Sequence, residues 1–149
     1  MNNCKKNLNI VKDVGLTLLS EGKTIRIKAH GYSMYPCIKP GSLILIEPLN
    51  VKGMPVEGEI VAIRRESGII VHRLSVIITK NGVTSYIARG DSNANADNPV
   101  KIDKIAGRIV RAETTGENQV LADIGINTRP NYFLNRIRVI GLLIWKKIR

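Results

Sequence analysis

The chain has 149 residues, of which 44% are apolar and 23% charged, a composition typical of one soluble globular domain that is long enough to bury a core. Its formal net charge of +11 favours an anionic partner: nucleic acid, an acidic peptide or an anionic membrane surface. The two cysteines, Cys4 and Cys37, exclude a disulfide framework and fit a reducing compartment, and no residue cluster has the spacing of a zinc site.

The hydropathy of the sequence indicates neither a secretory signal peptide nor a membrane-spanning segment. Residues 1–20 contain only short apolar runs, interrupted by Lys12-Asp13, and so lack the apolar core of a signal peptide. The longest apolar run, Val139 to Trp145, is far shorter than the about 18 residues that a span requires. We therefore expect one cytoplasmic domain over residues 1–149, without a metal or another cofactor.

The first third of the chain predicts a helix and two strands. Apolar residues recur at steps of three and four between Asn7 and Ser20, which predicts a short helix that ends at Gly22. Alternation over Thr24 to His30 predicts a strand, and Leu43 to Glu47 predicts a second one. The glycines and prolines of residues 31–42 predict a rigid corner between these strands.

This corner holds a small hydroxyl group, that of Ser33, in the segment Gly31-Tyr32-Ser33-Met34-Tyr35-Pro36. A serine nucleophile needs an exposed Oγ that the backbone keeps in place. The segment alone fits a nucleophile and a serine that merely caps a turn equally well.

The middle of the chain predicts further strands joined by turns. Lys80-Asn81-Gly82 is the clearest hairpin turn, because Asn-Gly suits type I′ geometry. The polar, small residues Arg89 to Pro99 predict a loop. The predicted strands are Glu59 to Arg64, Ile69 to Ile78, Val83 to Ala88, Ile102 to Arg111 and Gln119 to Ile124.

A histidine and two aspartates complete a possible catalytic set with Ser33. We expect His30 to be exposed, whereas His72 has apolar neighbours on its strand face, where a satisfied core histidine is commoner than a catalyst. Asp91 and Asp97 lie in the following loop, where carboxylates often bond their own backbone. Together these residues form the set for serine acyl transfer, in which a histidine takes the serine proton and a carboxylate holds the imidazole.

Several segments resemble, in the same order, the sequence boxes of type I signal peptidases. The serine box of that family reads S-M-x-P, its base box follows, and a G-D-N box comes later. The matching segments are Gly31 to Pro36 with Pro40-Gly41-Ser42, Gly58 to Val61, Val71 to Leu74, Arg89 to Asn93 and Gly107 to Val110. Several weak motifs in the correct order are far more specific than any one of them.

The resemblance implies a role for each matched residue. Because His72 stands where the common bacterial enzymes and LexA-type repressors have lysine, the chain resembles the archaeal and endoplasmic-reticulum branch, which works with serine and histidine. Ser33 would then be the nucleophile and His72 the general base, with Asp97 and Asp91 as orienting or structural carboxylates. Which aspartate faces His72 stays open.

The oxyanion and substrate positions fall in the serine box, at Gly31, Met34 and Pro36, and the Ser33 N–H is the natural first oxyanion donor. The chain departs from the family in three ways. Gly31 stands where many relatives have a serine or threonine, Glu59 and Ser42 replace aspartates, and the N-terminal membrane anchor is missing. Housekeeping removal of secretory signal peptides therefore fits poorly.

The segment from Arg129 to Arg149 contains six basic residues and no acidic one. Its apolar residues on one helical stripe are Phe133, Ile137, Ile140, Leu143, Ile144 and Ile148. Such a segment fits an interfacial membrane helix. It equally fits a helix that packs on the sheet with a solvated basic edge.

We expect a mainly β domain of antiparallel sheets with the signal peptidase/LexA-type peptidase fold and a helix at each end. It comprises an N-terminal helix (1–23), a β catalytic core (24–126) and a basic amphipathic tail (129–149). The expected function is endoproteolytic cleavage of a leader or signal-like peptide from a precursor, at the cytoplasmic membrane face to which the tail docks.

The alternative is a non-catalytic module of the same fold that binds a peptide, nucleic acid or a membrane. Nucleic acid is the less favoured partner, and residues 1–23 are too short for a helix-turn-helix domain. Cys37 is a rival nucleophile, although a small apolar filler is the commoner role of a lone cysteine.

Overall fold

The computed structural model describes residues 13–66, 68–114, 117–120 and 129–148. A seven-stranded antiparallel sheet forms most of the structure, with helix α1 (residues 13–20) before it in sequence and helix α2 (Tyr132–Ile148) after it. The mainly β class and the two helices are therefore confirmed. The strands are β1 (Ile25–Lys28), β2 (Leu43–Glu47), β3 (Ile60–Arg65), β4 (Gly68–Lys80), β5 (Val83–Arg89), β6 (Ile105–Thr114) and β7 (Glu117–Val120).

The strand order is β1-β2-β6-β3-β4-β5, and β7 also pairs with β6. The strand expected from Ile102 begins instead with a 3₁₀ turn, Ile102–Lys104, in which the Lys104 N–H donates to Lys101 O over 3.1 Å. Residues 7–12 of the predicted first helix and residues 121–124 of the last predicted strand lie outside the described residues.

Strand β3 is buried on both faces and separates two apolar clusters. Ile60 and Ala62 face the first cluster, whereas Val61 and Ile63 face the second, because successive side chains of a strand point to opposite faces. The first cluster also contains Leu19, Ile25, Met34, Ile38, Ile44, Ile46, Ile109 and Ala112. The second contains Leu74, Tyr86, Ala88, Val100 and Ile105.

The register of β3 with β4 determines which cluster each site residue faces. His72 lies opposite Val61 and therefore points toward the second cluster, whereas Arg73 lies opposite Ile60 and points toward the first. Adjacent residues of β4 thus reach opposite sides of the sheet. The following hairpin confirms the predicted turn, since Asn81 and Gly82 both have positive φ, 50° and 76°, as a type I′ turn requires.

The described helices include none that is both long and apolar enough to cross a lipid bilayer.

Strands β2 and β6 approach each other closely at Gly107, which yields a stability prediction. A Cβ at this position would lie 2.5 Å from Glu47 O and 2.9 Å from Ile46 Cγ2. Since a backbone carbonyl inside a sheet cannot move aside cheaply, we expect Gly107→Ala to lower the free energy of unfolding by about 1–3 kcal/mol. Chemical denaturation measures this change.

The matched control is Gly141→Ala in α2, where a Cβ would meet nothing within 4 Å. Alanine favours helix by roughly 1 kcal/mol over glycine, so this variant should be as stable as the parent protein or slightly more stable. Equal unfolding midpoints for both variants would contradict the close approach of β2 and β6.

Candidate active site

Ser33 lies in the serine loop, residues 29–42, which connects β1 to β2. The Ala29 N–H donates to Ser42 O over 2.8 Å and closes the base of this loop. Met34 and Ile38 are buried in the first cluster, and the Ile38 N–H donates to Met34 O over 2.9 Å. These two anchors hold the adjacent Ser33 half-buried at the edge of the core.

The serine loop leaves two backbone donors beside Ser33. The Tyr35 N–H donates to Tyr32 O, and this turn encloses Ser33 and Met34. Among the described residues, the N–H groups of Ser33 and Met34 have no hydrogen-bond acceptor. Successive N–H groups of this kind can bind an oxyanion. The Met34 N–H can thus donate a hydrogen bond to an oxyanion, while the Met34 side chain is buried in the first cluster.

Gly31 and Pro36 are exposed on either side of Ser33. Gly31 has a φ of 79°, which glycine adopts without steric cost and a residue with a side chain rarely adopts. A serine or threonine at position 31 would be strained in this backbone conformation, which agrees with the glycine found there.

His72 pairs with Asp97. The distance from His72 Nδ1 to Asp97 Oδ2 is 2.6 Å, and the histidine is only 6% exposed. The Asp97 N–H donates to Ala88 O over 2.7 Å, which anchors the carboxylate beside strand β5. With a carboxylate at Nδ1, the proton of a neutral imidazole lies on that nitrogen, and Nε2 is left as the acceptor.

Asp91 has a different partner. Arg73 Nε and Nη2 donate to its two carboxylate oxygens over 2.9 and 2.8 Å, and both side chains are almost fully buried. Burial alone would lower the pKa of Arg73, but the hydrogen bonds and charge of Asp91 outweigh it and raise that pKa above the ordinary value. Asp97, and not Asp91, is therefore the carboxylate beside His72.

One loop holds both halves of the candidate site. This aspartate loop, residues 90–97, follows β5. Near its start, the Ser92 N–H donates to Ser33 O over 2.9 Å, and Ser92 Oγ donates to Tyr32 O over 2.6 Å. At its end, Asp97 holds His72. The aspartate loop thus contacts both the serine loop and His72 of strand β4.

Ser33 Oγ makes no hydrogen bond to His72 in the described part of the chain. The structure brings His72 and Asp97 into direct contact and holds the Ser33 backbone against the same loop. Catalytic hydrogen bonds are often long without substrate and shorten only in the complex.

Sequence reasoning assigned no role to three supporting residues. Arg73 anchors Asp91, Ser92 holds the Ser33 carbonyl, and Gly90 permits the close approach of the two loops. A Cβ on Gly90 would lie 2.7 Å from Ser33 O. The available signal was an arginine on the same strand face as the apolar Ile69 and Val71, because such a charge needs a buried partner.

Cys37 is poorly suited to nucleophilic attack. Burial raises the pKa of its thiol, and Asp91 adds to this effect, while Arg73, whose Nη2 lies 3.5 Å from the sulfur, offsets part of it. A raised pKa leaves less thiolate at neutral pH, and the thiolate is the reactive form.

His30, the other histidine, is exposed as expected.

The described residues contain no group of three or more histidine, cysteine, aspartate or glutamate side chains that could hold a metal ion. Comparison of the chain with protein-family models and with curated proteins finds no match. The assignment of a function therefore depends on the motifs and on the geometry of the site.

The two aspartates allow a test in which the same substitution has different effects. Asp91→Asn removes the carboxylate charge that faces buried Arg73, so we expect a loss of about 3–5 kcal/mol in the free energy of unfolding. Asp97→Asn keeps an oxygen acceptor at a partly exposed position and should cost less than about 1.5 kcal/mol. Urea titrations of both variants check this; equal losses would contradict the assigned partners.

Alkylation tests the state of Cys37. In a Cys4→Ser background, iodoacetamide at pH 7 should modify Cys37 more slowly in the folded protein than in urea, because the raised pKa lowers the thiolate fraction. The rate in the folded protein should rise with pH and reach its plateau only at a pH above the ordinary thiol pKa of about 8.5. Modification at pH 7 that is faster in the folded protein would point to an activated cysteine.

Proposed function

We propose that this protein is a serine endopeptidase of the signal peptidase/LexA type, with Ser33 as nucleophile, His72 as general base and Asp97 as the orienting carboxylate. The observation that carries the proposal is the 2.6 Å contact between buried His72 and Asp97, on the loop that also holds the Ser33 backbone. The ordered resemblance of the motifs adds to it.

In the proposed reaction, Ser33 Oγ attacks the scissile carbonyl carbon while His72 Nε2 takes the hydroxyl proton. The Asp97 carboxylate accepts from Nδ1–H and stabilises the imidazolium that forms. His72 then gives the proton to the leaving amine as the C–N bond breaks, which leaves an ester on Ser33. Water, activated by the same histidine, hydrolyses this ester and restores the serine.

The negative charge that develops on the carbonyl oxygen needs donors. The N–H groups of Ser33 and Met34 meet this need, since neither has an acceptor among the described residues. Removal of one such donor typically costs about 10²–10³ in rate. Asp91 and Arg73 take no part in bond breaking; their role is to hold the loops together.

The resemblance suggests the substrate class. Signal peptidase-like enzymes prefer small side chains at the P1 and P3 positions, which need only shallow pockets. We infer that the substrate is the leader or signal-like segment of a precursor, such as that of a secreted or modified peptide, presented at the cytoplasmic face of the membrane.

A second candidate is a non-catalytic peptide- or membrane-binding module of the same fold. The observation in its favour is the missing hydrogen bond between Ser33 and His72, together with the net charge of +11. The two candidates differ in one property, which is the reactivity of Ser33.

Covalent labelling measures that reactivity, either by a fluorophosphonate, which phosphonylates serine, or by a penem, which acylates it. We expect one adduct per chain by intact mass, located on Ser33 by peptide mapping, and no adduct on Ser33→Ala. His72→Gln and Asp97→Asn should slow labelling by about 10²–10⁴, because the general base and its orientation are lost.

Ser20→Ala, at an exposed serine in α1, is the matched control and should label like the parent protein. Folding of each variant is verified by circular dichroism. Folded protein that stays unlabelled, or labelling that survives Ser33→Ala, would favour the non-catalytic candidate.

A further inference from the structure

Helix α2 rests on the two loops of the candidate site through polar contacts. Asn135, the buried residue of this helix, donates from Nδ2 to Asp91 O over 3.0 Å. Three turns further on, Lys146 Nζ donates to the hydroxyl of Tyr32, the neighbour of Ser33, over 2.6 Å. The helix therefore lies across the aspartate loop and the serine loop.

The apolar side of α2 points the other way. At 100° per residue, Phe133, Ile137, Ile140, Ile144 and Ile148 fall within an arc of about 80°, on the opposite side of the helix from Asn135 and Lys146. These five side chains are 46–81% exposed. A helix on the surface of a globular domain normally buries such a stripe against the core. Here the stripe is directed away from the core.

Positive charge borders this stripe on both sides. Arg136 and Lys147 flank one edge and Arg138 lies beyond the other, while residues 129–148 contain no acidic residue. At the start of the helix, Arg129 and Arg136 line a cleft of about 630 Å³ together with Arg89 of β5. An apolar stripe between basic flanks matches the boundary between acyl chains and anionic headgroups.

We propose that α2 is an interfacial helix that binds the surface of an anionic membrane. The apolar stripe enters the headgroup region, while the opposite face of the helix keeps its polar contacts with the aspartate loop and the serine loop. A nucleic acid would pair with the basic residues but would leave the apolar stripe in water, so the combination favours lipid.

This arrangement places the site about one helix diameter, roughly 10–12 Å, from the lipid surface. Peptide bonds that lie at or just above the headgroups would be within reach. This statement about substrates rests on the proposed peptidase function, whereas membrane binding by α2 does not depend on it.

Trp145 provides an intrinsic probe, because it is the only tryptophan in the sequence and is 55% exposed on α2. Vesicles of phosphatidylglycerol and phosphatidylcholine should shift its emission to shorter wavelength and carry the protein to the vesicle fraction in sedimentation. Pure phosphatidylcholine vesicles should bind at least about tenfold more weakly, since they lack the anionic headgroup.

Two matched variants separate the helix from general charge effects. Ile144→Glu adds a carboxylate to the stripe at a side chain that is 54% exposed, and Val83→Glu adds the same group to a 53% exposed position on β5. We expect Ile144→Glu to weaken vesicle binding at least about tenfold more than Val83→Glu does. Circular dichroism verifies that both variants fold.

Three results would overturn the proposal. The first is no binding of the protein to the anionic vesicles, and the second is an equal weakening of vesicle binding by the two variants. The third is a protein that does not bind vesicles and instead forms a dimer, which Ile144→Glu dissociates. Ser33→Ala should bind vesicles like the parent protein. If Ser33 labelling persists without vesicle binding, only the membrane proposal fails. If vesicle binding persists without labelling, only the peptidase proposal fails.

Discussion

The buried ion pair between Arg73 and Asp91 is the contact on which the rest of the candidate site depends. It fixes the start of the aspartate loop, and from this loop Ser92 holds the Ser33 backbone and Asp97 holds His72. A buried pair of this kind is not a strong source of net stability, because desolvation offsets much of the attraction. Its role here is positional, because it joins strand β4 to the start of the loop that carries Ser92 and Asp97.

Two carboxylates on one loop have separate tasks because of the alternation of strand β4. His72 and Arg73 are adjacent and therefore point to opposite faces of the sheet, so a single carboxylate cannot serve both. Asp91 meets the arginine where the loop begins, and Asp97 meets the histidine where it ends. The guanidinium of Arg73 is a permanent cation that needs a buried partner, whereas an imidazole has one nitrogen that donates and one that accepts when it is neutral.

Local signals in the sequence predict most of the sheet, because alternation and turn chemistry act over a few residues. The Asn81-Gly82 hairpin and the apolar run of β3 are examples. Periodicity could not decide between Asp91 and Asp97, since that choice depends on the path of a loop in three dimensions. Nor could it show which way the stripe of α2 faces, because the same pattern suits a buried and an exposed stripe.

The distribution of charge explains why the orientation of α2 matters. In the body of the protein, buried arginines have acidic partners: Arg73 pairs with Asp91, and Arg108 pairs with Glu59. Residues 129–148 contain no acidic residue, so their positive charge is not neutralised along the helix. Attraction of this charge to an anionic surface is screened over about 8 Å at physiological salt, whereas burial of the apolar stripe is largely independent of salt. A helix with both features can be attracted to a membrane by its charge and remain bound through its apolar side chains. The polar side chains on its opposite face can then remain in contact with the two loops of the candidate site.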